Sequence, residues 1–94
     1  MKILLVYAHP EPRSLNGALK DFTVQHLQNA GHDVQVSDLY AMRWKAGLDA
    51  DDSSAPPVGE SWRATRDSQY AFANGTQSAD IAGEQEKLLW ADTV

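Results

Sequence analysis

A loop with several hydrogen-bond donors follows the first apolar segment of the chain, between His9 and Asn16. The imidazole of His9, the hydroxyl of Ser14 and the side-chain amide of Asn16 could each donate to an anion. If a helix begins at Leu15, its unpaired backbone N–H groups and the positive end of its dipole add to this preference. The pattern predicts a phosphate-binding loop. The alternative that the same residues allow is a solvated histidine beside an ordinary helix cap.

Other catalytic and metal sites fit the sequence poorly. The loop has no G-x-G-x-x-G motif, which argues against a dinucleotide fingerprint there, and no G-x-S-x-G elbow surrounds Ser14. The chain contains no cysteine, which excludes thiolate chemistry and disulfides. The three aspartates between residues 49 and 52 do not meet the calcium-loop pattern and are interpreted as solvated charges. His26 and His32 are interpreted as surface histidines.

A strand, a helix and a second strand are predicted to position the loop. The apolar run Lys2–Ala8 is typical of a strand covered on both faces. Apolar residues recur at helical spacing over Leu15–Asn29, with Ser14 as the N-cap and Gly31 as the stop signal. The alternation over Asp33–Ser37 favours a strand at a sheet edge. These elements predict a right-handed βαβ unit in a doubly wound parallel sheet of strand order 2-1-3.

The second half of the chain is predicted to be less regular. We expect a variable acidic loop at about 48–66, a short helix over 67–73 that ends at Asn74-Gly75, and a helix from about Ser78 to Leu89. Ser78 or Asp80 is placed to cap the last helix. Residues 90–94 have the pattern of an approach to a third strand beside the first. We therefore expect residues 1–94 to be part of one α/β domain whose sheet is incomplete, with marginal stability.

Charge and hydropathy exclude several classes of partner. The formal net charge is -5 and the sequence pI is about 4.9, so the long-range field repels nucleic-acid backbones and anionic lipid surfaces. The longest apolar run is too short to span a bilayer, and no leader pattern opens the sequence. We expect no nucleic-acid partner, no membrane insertion and a cytoplasmic location.

Three motifs resemble the amino-terminal part of the NAD(P)H dehydrogenase (quinone) family. They are LLVYAHPEPRSLNGALKDF from Leu4, SDLYAM from Ser37, and DI-x2-EQ-x-KL-x2-AD-x-V from Asp80. That family consists of flavodoxin-like flavoproteins, so the resemblance implies FAD or FMN as cofactor, NADH or NADPH as hydride donor, a quinone as acceptor and a homodimeric complete enzyme. Residues that match the family's contacts to the flavin phosphates are His9, Ser14, Leu15 and Asn16.

The family also has segments with no counterpart in these 94 residues. They are an aromatic F-P-L-x-W segment that holds the flavin ring, a glycine-rich loop, and a Tyr/His pair near the hydride site. We therefore expect a fragment that carries the phosphate loop and does not oxidise NAD(P)H alone. The alternative is a non-catalytic remnant, or a small interaction module that pairs through an exposed strand edge.

Overall fold

The computed structural model describes residues 1–47, 49–53 and 63–94 of the 94-residue chain. Within these ranges the elements, in chain order, are β1 (Lys2–Tyr7), α1 (Leu15–Asn29), β2 (Asp33–Asp38), a 3-10 helix (Ala50–Asp52), α2 (Ala64–Asn74) and α3 (Ala79–Trp90). Most of the predicted acidic loop at 48–66 lies outside the described residues. None of the described helices combines the length and the apolar character needed to cross a membrane.

The two strands form the predicted parallel pair. The register runs from Lys2 opposite Asp33 to Tyr7 opposite Asp38, with α1 as the connection between the strands. On the other side of β1, Thr93 forms a parallel bridge to Ile3. β1 therefore lies inside the sheet with β2 at its edge, and residues next to Thr93 begin a third line of pairing, as the sequence predicted.

The sheet unit comprises residues 1–44 together with 84–94. Its buried side chains include Leu4 and Tyr7 on β1 and Ser37 on β2. Val6, in contrast, is 51% exposed, so the prediction of a strand covered on both faces holds for only part of β1. Among the described residues, no strand continues the pairing of Thr93 along the carboxyl half of β1.

The second compact unit comprises residues 45–83. Its helix α2 begins at Ala64, three residues before the predicted start, because the buried Asp67 carboxylate accepts a hydrogen bond from the Arg63 N–H at 2.6 Å and stabilises the first turn. The helix ends as predicted at Gly75, which has a φ of 68°. A bridge between Ser53 and residue 77 closes the unit.

Candidate anion site at the start of the first helix

The hydroxyl of Ser14 caps α1, as the sequence predicted. The backbone of Ser14 is extended, with φ -72° and ψ 168°, and its Oγ accepts a hydrogen bond from the Gly17 N–H at 3.1 Å. The first backbone bond of the helix follows, from the Ala18 N–H to the Ser14 carbonyl at 3.0 Å. Since Oγ acts as an acceptor in this cap, its own hydrogen stays available for a further acceptor.

Two backbone amides at the start of α1 are available to a ligand. The N–H groups of Leu15 and Asn16 have no hydrogen-bond partner in the part of the chain that the structure describes. Both residues are exposed, and the first turn of α1 contains no acidic side chain that would compete with a ligand. These amides lie at the positive end of the helix dipole, and the site therefore favours an anion.

His9 lies at the opposite end of the same loop and is half-buried. Its Nδ1 accepts a hydrogen bond from the Glu11 N–H at 3.0 Å. The same Nδ1 lies 3.2 Å from the Glu11 carbonyl oxygen, so its role as donor or acceptor depends on the tautomer of the ring. The structure thus brings Ser14, Leu15 and Asn16 together at the helix start, with the half-buried ring of His9 in the preceding loop.

Glu11 organises the loop, a role that the sequence reasoning did not find. Its carbonyl accepts from the Ser14 N–H at 3.2 Å, and its carboxylate accepts from the Arg13 N–H at 2.9 Å. An ion pair of 3.5 Å joins the Glu11 and Arg13 side chains. The Glu11 carboxylate is therefore already paired within the loop. The sequence signal available for this role was a carboxylate at Glu11, two residues before the Arg13 N–H that it accepts from.

Gly17 allows the loop to pack directly against the first turn of α1. A Cβ built on this residue would lie 2.2 Å from the Pro12 carbonyl oxygen and 3.3 Å from the Tyr7 hydroxyl. No side chain fits at this distance. The close approach of Pro12 fixes the path of the loop over the helix start, and sequence reasoning placed no such requirement on Gly17.

An open groove of about 300 Å³ adjoins the site. It is lined by Leu5, Val6, Tyr7, Ala8, Asn16, Leu19, Lys20 and Thr23. The Lys20 ammonium lies 5.0 Å from the centre of the Tyr7 ring and 3.0 Å from the Asp21 carboxylate. Hydrogen bonding to Asp21 raises the pKa of Lys20 above its usual value. The groove thus extends from Asn16 along β1 and contains one cationic group.

A second polar cluster joins the end of β2 to α3. The fully buried Ser37 hydroxyl donates to the Glu84 carboxylate at 2.6 Å. The Lys87 ammonium donates to the same carboxylate at 2.6 Å and to the Ser37 hydroxyl at 3.2 Å. Burial raises the pKa of Glu84, but the hydrogen bonds from Lys87 and Ser37 outweigh burial and leave this pKa below its usual value. The cluster is fully paired and stabilises the packing of α3.

Two of the acidic residues near position 50, Asp49 and Asp52, form ion pairs with Lys45. The Lys45 ammonium lies 2.6 Å from the Asp49 carboxylate and 2.7 Å from that of Asp52. These hydrogen bonds raise the pKa of Lys45. Across the described ranges, no group of three or more histidine, aspartate or glutamate side chains is arranged to hold a metal ion.

Comparison with known proteins identifies the family. A family model described as the flavodoxin-like fold matches residues 1–94. The chain belongs to this flavodoxin-like family. It is 46% identical over 94 residues to the ribosyldihydronicotinamide dehydrogenase-like protein traD of Penicillium crustosum, and covers 35% of that protein. It is also 37% identical to rat NAD(P)H dehydrogenase [quinone] 1, of which it covers 34%.

A solved structure agrees closely with the same assignment. A protein from Klebsiella pneumoniae assigned as a quinone reductase is 81% identical and superposes with a TM-score of 0.96. The comparison covers all of this chain and 36% of that one. The chain therefore spans about a third of the length of these three relatives. These matches confirm the resemblance to the NAD(P)H dehydrogenase (quinone) family and the incomplete flavodoxin-like α/β fold.

Proposed function

We propose that this chain is the amino-terminal part of a flavin-dependent NAD(P)H:quinone oxidoreductase and that its first loop binds the flavin phosphates. The observation that carries the proposal is the pair of unpartnered amides of Leu15 and Asn16 at the start of α1. The names of the relatives, which are quinone reductases and NAD(P)H dehydrogenases, support the reaction class.

The donors around the loop suit a phosphate. The amides of Leu15 and Asn16 meet one face of the anion, while the Ser14 hydroxyl and the His9 ring are available for further oxygens. The helix dipole gives this end of α1 a local positive potential in a chain whose net charge is -5. Either the diphosphate of FAD or the monophosphate of FMN satisfies these donors, and the proposal covers both.

The residues of this chain bind and orient the cofactor. A flavin bound there would supply the transfer of hydride from NADH or NADPH and of two electrons to a quinone. Ser14, Leu15 and Asn16 hold its phosphate end, and the groove beside Asn16 leaves room for the attached sugar alcohol. The residues that hold the flavin ring in the resembled family lie outside these 94 residues. We infer that the chain alone does not oxidise NAD(P)H and that the complete enzyme is a cytoplasmic homodimer.

A second candidate function rests on the carboxyl half of β1. Val6 is 51% exposed there, and in the described ranges Asp92 and Thr93 hydrogen-bond to β1 only at Lys2 and Leu4, in its amino half. An extended peptide could add to this open edge, which would make the chain an interaction module. Such a module would bind its partner through β1 and would not need the donors at the start of α1.

A comparison of FMN with riboflavin separates the two functions. The purified, ¹⁵N-labelled chain is titrated with each compound, and the amide resonances are followed. We expect FMN to shift the amides of Leu15 and Asn16, whereas riboflavin, which lacks the phosphate, leaves them unchanged. In a parallel assay we expect no oxidation of NADPH with FMN and a quinone present. Equal shifts with both compounds contradict a phosphate site, and turnover contradicts inactivity of the isolated chain.

A further inference from the structure

The Tyr7 hydroxyl is a buried donor without an acceptor. Tyr7 is the last residue of β1 and is only 9% exposed. Among the described residues, no group forms a hydrogen bond with its hydroxyl, although the oxygen itself is fully buried. A buried hydroxyl without a partner is unfavourable by about 1–3 kcal/mol. This position of Tyr7 therefore requires an explanation.

An acceptor without a donor lies beside it. The Pro12 carbonyl accepts no hydrogen bond from any described residue. Both oxygens lie against the same glycine, since a Cβ on Gly17 would lie 2.2 Å from the Pro12 oxygen and 3.3 Å from the Tyr7 hydroxyl. A donor and an acceptor, each unpaired among the described residues, thus lie against Gly17, which follows Leu15 and Asn16 in the first turn of α1.

We propose that Tyr7 is a positioning residue of the anion site, whose hydroxyl donates to the Pro12 carbonyl when an anion occupies the amides of Leu15 and Asn16. The inference rests on the proposed function, because it concerns the same site. An anion held by these amides and by the His9 ring joins the helix start to the loop. Because the Pro12 carbonyl and the Tyr7 hydroxyl already lie against Gly17, a small reorientation of the Pro12 peptide on anion binding brings the two groups to hydrogen-bond distance.

Tyr7 is well placed for such coupling because it also belongs to the groove. Its ring lines the groove together with Asn16 and Lys20, and the Lys20 ammonium lies 5.0 Å from the ring centre. Residues of β1 and α1 thus line the same groove as the Tyr7 ring. A ligand shifts a conformational equilibrium only by the difference in its affinity for the two states. The new hydrogen bond provides that difference.

The test compares the wild-type chain with Tyr7→Phe, using inorganic pyrophosphate as the probe. Because Phe lacks only the hydroxyl, we expect it to weaken pyrophosphate binding about fivefold, the effect of one net hydrogen bond. We also expect the thermal midpoint of the free chain to be unchanged or higher, since the unpaired hydroxyl is gone. In the wild-type chain, pyrophosphate should shift the Cζ resonance of ¹³C-labelled Tyr7, which reports on its hydroxyl.

Tyr40→Phe is the matched control, because Tyr40 is 57% exposed and outside the site; its affinity and midpoint should equal those of the wild type. Unchanged pyrophosphate affinity in Tyr7→Phe overturns the inference. A lower midpoint of the free variant also overturns it, since the hydroxyl would then be paired before any anion binds. If the wild-type chain binds no pyrophosphate, the proposed function fails first, and the two failures are thereby distinguished.

Discussion

Gly17 has the strictest steric requirement in the candidate site. The space that its side chain would fill is taken by the Pro12 carbonyl, which lies 2.2 Å from a built Cβ. This contact holds the loop over the helix start and leaves the neighbouring amides of Leu15 and Asn16 facing outward. The proposed binding of an anion thus depends on Gly17, although this residue has no side-chain functional group.

Gly17→Ala is expected to destabilise the chain. The methyl group overlaps the Pro12 carbonyl, and overpacking of this kind costs about 1–3 kcal/mol in the free energy of unfolding. Gly83→Ala is the matched control, because Gly83 also lies in a helix and nothing lies within 4 Å of its built Cβ. That variant should gain about 0.5–1 kcal/mol. Urea unfolding measures both, and equal stability of the two variants contradicts the steric role of Gly17.

The sequence predicted the hydrogen-bond donors of the candidate site, but not the residues that shape the loop around them. Ser14 follows a proline-containing loop and precedes an apolar repeat, which is a local signal, and the structure confirms it as the N-cap. The roles of Glu11 and Gly17 depend on the path of the loop between two elements. That path is set by packing, and no local pattern reports it.

Packing between elements is best illustrated by the Ser37, Glu84 and Lys87 cluster. It connects the end of β2 to α3 across 47 residues of sequence, with two hydrogen bonds of 2.6 Å to the Glu84 carboxylate. The sequence predicted both elements to within one residue at their ends, because their periodicity is local. It did not predict the contact, because Ser37 lies 47 residues before Glu84 and no local pattern relates the two.

The cluster predicts a pH dependence of stability. The pKa of Glu84 is lowered in the folded chain, below the usual value of 4.5. Its ionised form therefore stabilises the fold above about pH 4.5, and this contribution is lost as the pH falls through the folded-state pKa. We expect Glu84→Gln to flatten the acid side of the plot of unfolding free energy against pH. Glu86→Gln, on an exposed part of the same helix, should leave the plot unchanged.

The outcome that contradicts this account is a Glu84→Gln curve parallel to that of the wild type down to about pH 3, well below the range of an ordinary glutamate. Such a result would mean that the carboxylate has the same affinity for protons in the folded and unfolded chains. Urea unfolding at each pH gives both curves under the same conditions.

In the whole molecule, the strand order follows from the sequence and the division into units does not. The unbroken apolar run of β1 and the alternation of β2 distinguish an inner from an outer strand, and the bridge of Thr93 to Ile3 agrees with that order. The chain divides into a sheet unit and a unit of residues 45–83, and the boundary falls inside α3 at Gly83. A helix with continuous periodicity gives no sign of such a boundary.

The sheet unit exposes several large apolar side chains. Val6, Leu19 and Phe22 are each more than half exposed. The relatives are about three times as long as this chain. The contacts that shape the loop before α1, in contrast, are made mostly within residues 9–17.

The backbone amides of Leu15 and Asn16 at the start of α1 are the groups proposed to bind the flavin phosphate. Leu15→Pro removes one of these two N–H groups at a position where helices accept proline, and the extended backbone of Ser14 suits the residue before a proline. Leu15→Ala removes the same exposed side chain but keeps the N–H. The decisive measurement is the FMN dissociation constant of both variants. We predict wild-type affinity for Leu15→Ala and about tenfold weaker binding for Leu15→Pro. Equal affinities of the two variants would contradict the account.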